Sequence, residues 1–161
     1  MSIKLSKRAA KASDIAPILR GLVVDGSKSM VLNFRTSQKV RAYVSGADLG
    51  RYSQLGTVTP DHVIRTKPLP LIVPAPDADD ISSFRKGAET AFRCYVRNYH
   101  TYFRRNNKIA PNKKIELDPL PRIILVPGLG LFGLGNSAKA AADVLSKELG
   151  MATWVDFVRK E

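Results

Sequence analysis

The sequence predicts a single-domain α/β protein, and three observations lead to that fold class. The chain has 161 residues, which is enough for one domain with a substantial core and too few for two. The segment RIILV (122–126) is a fully apolar strand of the kind that is buried on both faces. From Asp80 onward, apolar residues recur at three- and four-residue spacing, which predicts a long amphipathic helix that needs a sheet to cover its aromatic stripe.

The elements that precede this helix are predicted to be short. Residues 15–24 form an apolar run that ends at the turn signal Asp25-Gly26. The segment MVLNFR (30–35) predicts a strand. Thr36 or Ser37 then offers an N-cap for a short helix over residues 38–45.

Residues 56–79 are rich in proline, which fixes φ and favours an extended residue before it. We therefore expect a loop there with short strands, such as HVIRT and LPLIV. Loops of this length often carry binding groups on a rigid scaffold.

The long helix has the charges that its dipole favours at each end. Asp79 and Asp80 lie at the N-terminal end, and Arg104 and Arg105 lie at the C-terminal end. Its predicted apolar stripe consists of Ile81, Phe84, Ala88, Phe92, Tyr95, Tyr99 and Tyr102 or Phe103.

After the helix, residues 106–121 are predicted to be a polar connection to the apolar strand. Asn136 or Ser137 caps a further helix that runs to about Leu149, with Gly150 just beyond its end. A last strand is expected at MATWVDFV (151–158).

The bulk composition bears on location and partners. Lys and Arg number 26 against 14 Asp and Glu, a net charge of +12 that favours contact with polyanions. A single cysteine excludes an internal disulfide framework and favours a reducing, cytoplasmic setting. No apolar run is long enough to span a bilayer. The basic N-terminal residues 1–13 are expected to be a solvated tail.

A nucleic-acid-binding surface is one alternative function. Arginines and tyrosines alternate on the long helix, and such residues bind phosphates and stack on bases. The tyrosines, however, fall on the apolar stripe and the arginines on the opposite face. A buried stripe with a solvated basic face is therefore the preferred interpretation. The residues concerned are Arg93, Arg97, Arg104 and Arg105, with Tyr95, Tyr99 and Tyr102.

A nicotinamide-nucleotide module is a second alternative. Gly128, Gly130 and Gly133 form G-x-G-x-x-G directly after a strand, and Asp156 follows at a distance suited to a ribose hydroxyl. Against this hypothesis, the best N-cap comes several residues after the motif, although a pyrophosphate-binding helix must begin within it. The intervening Leu129, Leu131, Phe132 and Leu134 are typical of residues that pack, with glycine permitting close approach of backbones.

Three segments together resemble one protein family. They are GTVTPDHVIRTKPLPLIVPAP (56–76), the helix with Tyr95, Tyr99 and Tyr102-Phe103, and LDPLPRIILVPGLGLFGLGNSAKAA (117–141). They are similar to the aldolase half of bifunctional rhamnulose-1-phosphate aldolase/short-chain alcohol dehydrogenases, within the class II aldolase/adducin superfamily. The resemblance covers about residues 14–142, which we expect to be a partial aldolase domain followed by a divergent segment, 143–161.

This resemblance implies a central, mostly antiparallel sheet flanked by helices, and it assigns the glycine string to the aldolase domain. It also implies a zinc-assisted cleavage of a ketose 1-phosphate to dihydroxyacetone phosphate and an aldehyde. The resemblance implies a zinc site that consists of three histidines, two of them in an H-x-H pair, and a carboxylate. This chain has only His62 and His100, so we expect zinc to be incompletely ligated and the chain to be a weak or inactive fragment.

The resemblance places the candidate site on the proline-rich loop. His62 is a candidate zinc ligand, while His100 on the helix is expected to have no such role. A sugar phosphate would contact Thr59, Asp61, Arg65 and Lys67. The expected partners are that sugar phosphate and either a second copy of the chain or a separately encoded remainder of the enzyme.

Overall fold

The computed structural model describes residues 5, 6, 8–25, 28–56, 63 and 66–145. The helices are α1 (Ala12–Leu22), α2 (Gln38–Val44), α3 (Leu49–Tyr52), α4 (Ile81–Ile109) and α5 (residues 138–145). The strands are β1 (Val24–Asp25), β2 (Lys28–Ser29), β3 (Val31–Arg35), β4 (Leu71–Ile72), β5 (Ile123–Val126) and β6 (Gly130–Gly135). The predicted strand MATWVDFV lies outside these residues. Of the predicted strand HVIRT, the described residues are Val63 and Thr66, and both are helical, so the prediction is wrong at those positions.

A four-stranded sheet in the order β3-β6-β5-β4 forms the centre of the fold. Strand β6 pairs antiparallel with both β3 and β5, and only the β4–β5 pair is parallel. The predicted α/β fold with a mostly antiparallel sheet flanked by helices is therefore confirmed. A separate antiparallel ribbon, β1–β2, pairs Val24–Asp25 with Lys28–Ser29, and Gly26 of the predicted turn lies outside the described residues.

Helices cover both faces of the sheet. Ile124, Phe132 and Leu134 belong to the buried cluster that contains residues of α1 and α4. Ile123, Leu125 and Leu131 belong to a second cluster with residues of α2 and α5. All four residues of β5 are buried, which confirms the prediction made from RIILV. Because alternate residues of a strand point to opposite faces, an uninterrupted apolar strand can supply both clusters.

The glycine-rich segment over residues 130–135 is a strand and not a loop. Every residue of β6 is buried, and the leucines and phenylalanine pack as the sequence predicted. A β-carbon at Gly133 would lie 2.5 Å from the carbonyl oxygen of Ala141, and one at Gly135 would lie 2.6 Å from the Ala141 nitrogen. Glycine therefore allows α5 to pack directly against the backbone of β6.

The predicted helix starts are confirmed by hydrogen bonds. The hydroxyl of Ser37 accepts from the Val40 nitrogen at the start of α2, and the carboxylate of Asp80 accepts from Ser83 at the start of α4. Ser137 accepts from the Ala140 nitrogen at the start of α5. Each bond satisfies a backbone donor that a helix leaves unpaired at its first turn. The predicted end of α5 at Leu149 and Gly150 lies outside the described residues.

The N-terminal segment differs from the expected solvated tail. Arg8 forms an ion pair with Asp79 at 2.7 Å, and Ala9 forms a β-bridge with Asp77. Ala10 is buried, and α1 begins at Ala12. Residues 8–13 are therefore ordered by backbone pairing with the segment before α4. Because these residues include few apolar side chains, the sequence does not predict that order.

No helix in the described part of the chain is long and apolar enough to cross a membrane.

Helix α4 is anchored mainly by its N-terminal half. Phe84 and Ala88 are its fully buried residues, and its remaining apolar side chains are half-buried or exposed. At 1.5 Å per residue, a helix of this length extends for about 40 Å. Its C-terminal half therefore offers two sides that the main core does not cover.

Candidate functional site

The site predicted from the sequence lies on residues 59–67, and Lys67 is its described member. Thr59, Asp61, His62 and Arg65 lie outside the described residues, so their roles stay predictions. Along the chain, these positions fall between Gly56 and Thr66, both of which are described.

Lys67 has an unusual backbone conformation. Its φ is +65°, in the left-handed region that residues other than glycine seldom adopt. It also precedes Pro68, and a residue before proline normally adopts an extended conformation. Strain of this kind costs on the order of 1–3 kcal/mol and persists only where surrounding contacts impose it.

The contacts of the Lys67 side chain supply that constraint. The residue is 6% exposed. Its Nζ donates to the carbonyl oxygen of Asp118 at 2.6 Å and to the hydroxyl of Tyr99 at 3.0 Å. The same nitrogen lies 4.3 Å from the centre of the Tyr99 ring, so the ammonium also contacts the aromatic face. A lysine predicted to bind phosphate is thus fixed between α4 and the segment before β5.

Asp118 and Arg122 form a two-pronged ion pair beside Lys67. The guanidinium donates to the two carboxylate oxygens at 2.9 and 2.6 Å. Burial acts to raise the pKa of Asp118, but the hydrogen bonds and charge of Arg122, together with the charge of Lys67, lower it below its ordinary value. Asp118 is therefore a stable carboxylate that holds the segment next to the lysine.

Burial shifts the pKa values of Lys67 and Tyr99, which are hydrogen-bonded to each other, in opposite directions. It lowers the pKa of the Lys67 ammonium, against the opposing charge of Asp118. It raises the pKa of the Tyr99 phenol, and the charges of Asp118 and Glu116 add to that shift. Because Tyr99 accepts a bond from Lys67 and stays protonated, its own O–H is left as a donor.

A cleft of about 420 Å³ lies on this side of α4. Its walls are residues 54–56, which follow α3, together with Pro68 and Leu69 and the tyrosine face of α4. The Tyr95 hydroxyl donates to the Leu69 carbonyl oxygen at 3.2 Å and joins two of these walls. The volume lies within the range of small-molecule sites. Its polar lining consists of Gln54, Tyr95, Asn98, Tyr99, Tyr102 and Arg105.

The glycine motif does not have the geometry of a dinucleotide turn. Gly128, with φ +79°, lies between β5 and β6, while Gly130 and Gly133 lie within β6 itself. The next helix, α5, begins only at residue 138. A pyrophosphate needs the free N–H groups of a helix that starts at the glycines, so the alternative based on this motif lacks its central feature. Asp156 lies outside the described residues.

A zinc centre with three histidines does not fit the donors of this chain. The sequence contains two histidines, and His62 lies outside the described residues. The Nδ1 atom of His100 lies 2.7 Å from a carboxylate oxygen of Glu116. Within the described ranges, no group of three or more His, Cys, Asp or Glu residues is placed to hold a metal ion. The described residues therefore do not form such a zinc centre.

Comparison with known proteins settles the family. The family described as aldolase class II, second domain, matches residues 10–155. The chain belongs to the class II aldolase family. This match confirms the superfamily inferred from the sequence, whereas the finer resemblance to rhamnulose-1-phosphate aldolases stays a prediction. Class II aldolases generally depend on zinc, so the family supports the prediction of zinc as a cofactor. The described residues nevertheless contain no group that is placed to hold the ion.

One curated relative of this class II aldolase domain is an uncharacterized oxidoreductase, YuxG, of Bacillus subtilis (strain 168). It is 29% identical over 132 residues, which is 81% of this chain and 19% of the relative. The chain thus spans about a fifth of that protein's length. No solved structure matches the chain significantly.

Sequence reasoning missed the residues that surround Lys67. The sequence places Tyr99 on a buried stripe, and it shows Asp118 and Arg122 only as members of the family string LDPLPR. The opposite charges of Asp118 and Arg122, close together in the sequence, were the available signal. Four-residue spacing brings side chains together on a helix, and this segment is not helical, so the spacing alone does not predict the pair. It also does not predict that the Asp118 carbonyl oxygen accepts from a lysine 51 residues earlier.

Proposed function

We propose that this class II aldolase domain binds a sugar phosphate of the ketose 1-phosphate kind in the cleft beside Lys67. In this proposal it holds the sugar for a metal centre that is completed by residues outside this sequence. The observation that carries the proposal is the buried Lys67 ammonium, which is held in a strained conformation where Pro68, Leu69 and Tyr99 line a cleft. Strained residues of this kind cluster at ligand-binding sites.

The chemistry of the cleft lining suits a phosphorylated sugar. Arg105 offers a guanidinium, which can form two parallel hydrogen bonds to a phosphate. The amides of Gln54 and Asn98 can each donate to and accept from sugar hydroxyls. Tyr99 adds an O–H donor, because its oxygen already accepts from Lys67. The role of this chain is then to bind and orient the ligand.

The proposal assigns no carbon–carbon cleavage to this chain alone. In the family reaction, a bound zinc ion would supply Lewis-acid chemistry at the sugar. A site with three histidines needs at least one imidazole beyond the two in this sequence. A separately encoded polypeptide would supply it. We expect the purified chain with zinc to show no ordinary aldolase turnover on rhamnulose 1-phosphate.

Calorimetric titration with rhamnulose 1-phosphate tests the binding proposal. We expect saturable binding that weakens about tenfold in Arg105→Gln, since one charge-assisted contact is lost. Tyr99→Phe should also weaken binding while preserving the ring that packs on Lys67. The control is Arg85→Gln, which alters an exposed arginine of the same helix outside the cleft. Equal affinity in Arg105→Gln and the control, or no binding by the unmodified chain, would contradict the proposal.

Turnover is a separate measurement on the same preparation. The chain is supplied with zinc and rhamnulose 1-phosphate, and release of dihydroxyacetone phosphate is followed. Aldolase rates typical of an enzyme would overturn the claim that residues outside this sequence are required. Binding without turnover is the result that we expect.

A further inference from the structure

A second groove lies on the opposite side of α4 from the cleft. Its volume is about 440 Å³, and half-buried Phe92 and Val96 form its apolar floor. Glu116 closes it from the segment after α4 and is paired with His100. The helix therefore separates two concave surfaces, a tyrosine-lined cleft and this second groove.

Three exposed arginines border the groove on one face of the helix. Arg93, Arg97 and Arg104 are separated by four and seven residues, which aligns them along about 16 Å of helix. None of them forms an ion pair among the residues that the structure describes. Like charges at this spacing repel each other, so an anionic ligand would relieve an unfavourable arrangement.

The contacts of these arginines leave donors for a ligand. Arg97 contacts the Sγ of Cys94 at 3.6 Å, and the Nε of Arg104 donates to the carbonyl oxygen of His100 at 3.3 Å. Each guanidinium has five N–H donors, so most are not used by these contacts. Among the described residues that line the groove, Glu116 carries the one carboxylate, and it already has an imidazole nitrogen at 2.7 Å.

We propose that this groove binds a nucleoside diphosphate or a compound of the same chemistry, with a flat apolar ring and two phosphoryl groups. The ring would lie on Phe92 and Val96, and the phosphates would contact Arg93, Arg97 and Arg104. Planar guanidinium groups suit phosphate oxygens, and aromatic or apolar floors suit the faces of bases. The site is independent of the proposed sugar-phosphate cleft, because the two share no lining residue.

A polynucleotide is the less favoured ligand. Surfaces that bind single strands place several aromatic rings beside the cations, so that successive bases can stack. Here Phe92 is the only phenylalanine, tyrosine or tryptophan among the described residues that line the groove, and α4 presents its tyrosines Tyr95, Tyr99 and Tyr102 to the cleft on its other side. One ring with three nearby guanidinium groups matches one base with its phosphates.

Calorimetric titration of the full chain with ADP tests this proposal. We expect saturable binding that weakens about tenfold in Arg97→Gln and in Arg93→Gln, while Arg85→Gln on the same helix has no effect. Adenosine and pyrophosphate, which each supply one half of the ligand, should both bind more weakly than ADP. All four proteins should have the same melting temperature, since the substituted arginines are exposed.

Three results would overturn the proposal. The first is an absence of ADP binding at millimolar concentrations. The second is equal weakening by Arg85→Gln, which would indicate a general effect of net charge. The third is displacement of ADP by duplex DNA with a steep dependence on salt, which would identify a polyanion surface.

Discussion

Replacing Gly133 with alanine tests whether glycine allows α5 to pack on the sheet. In the native structure a β-carbon at this position would meet the side chain of Leu145 and would lie 2.5 Å from the carbonyl oxygen of Ala141. The leucine side chain can adjust, but the oxygen belongs to the backbone of α5. The helix itself must therefore move away from β6.

The expected loss of stability follows from two opposing effects. Adding a methyl group to a closely packed interior destabilises a protein by about 1–3 kcal/mol, and a backbone obstacle places Gly133→Ala near the upper end. Alanine also restricts the conformations of the unfolded chain, and this effect offsets the loss of stability by up to about 1 kcal/mol. We expect the free energy of unfolding to fall by about 2 kcal/mol, and the melting temperature by about 4–8 °C.

Urea unfolding followed by far-ultraviolet circular dichroism measures this change. The matched control is Gly21→Ala in α1, where an added β-carbon has no neighbour within 4 Å. Alanine there should raise the stability by up to about 1 kcal/mol, because it favours the helix. If Gly133→Ala is as stable as Gly21→Ala, close packing of α5 does not explain the glycines of β6.

Substitutions at three further positions test the core and the site by urea unfolding. Phe132→Ala should lower the free energy of unfolding by about 3–5 kcal/mol, because it empties a buried position; an effect below about 1 kcal/mol would contradict the assigned core. The lowered pKa of Asp118 means that its pairing with Arg122 stabilises the fold above the unfolded-state pKa near ~4 and that this stabilisation is lost as pH falls through the lowered value. Asp118→Asn should therefore be less stable at neutral pH but lose less stability on acidification, and identical pH profiles would refute this. At Lys67, glycine should be more stable than alanine by about 1 kcal/mol, since only glycine adopts a positive φ readily; the reverse order, which is usual elsewhere, would argue against the strained conformation.

Periodicity and capping signals were sufficient to predict much of the fold. The strand at residues 31–35, the helix after Ser37 and the helix after Asp80 depend on local patterns of apolar and capping residues. The buried strand β5 was predicted because both of its faces are apolar. Such elements are recognisable because the local sequence and the tertiary structure favour the same conformation.

The strand β6 illustrates why other elements could not be predicted. Glycine has a low preference for strands, so the motif resembled a turn. Its conformation depends on α5, whose close approach excludes a β-carbon at Gly133 and Gly135. The close approach of α5 to β6 is a feature of the tertiary structure, and the local sequence of β6 does not reveal it. The site behaves in the same way, because Lys67 acquires its environment from Tyr99 and Asp118, which are distant in the sequence.

The position of both proposed sites follows from how α4 is anchored. Burial of Phe84 and Ala88 fixes the N-terminal half of the helix to the core. The C-terminal half contacts shorter segments, through Tyr99 with Lys67 on one side and His100 with Glu116 on the other. Between each segment and the helix there is a concave site with a volume of several hundred Å³. A long helix that is buried over only half of its length therefore gives this domain two sides for small ligands, one lined by phenols, amides and a single arginine and the other by three arginines.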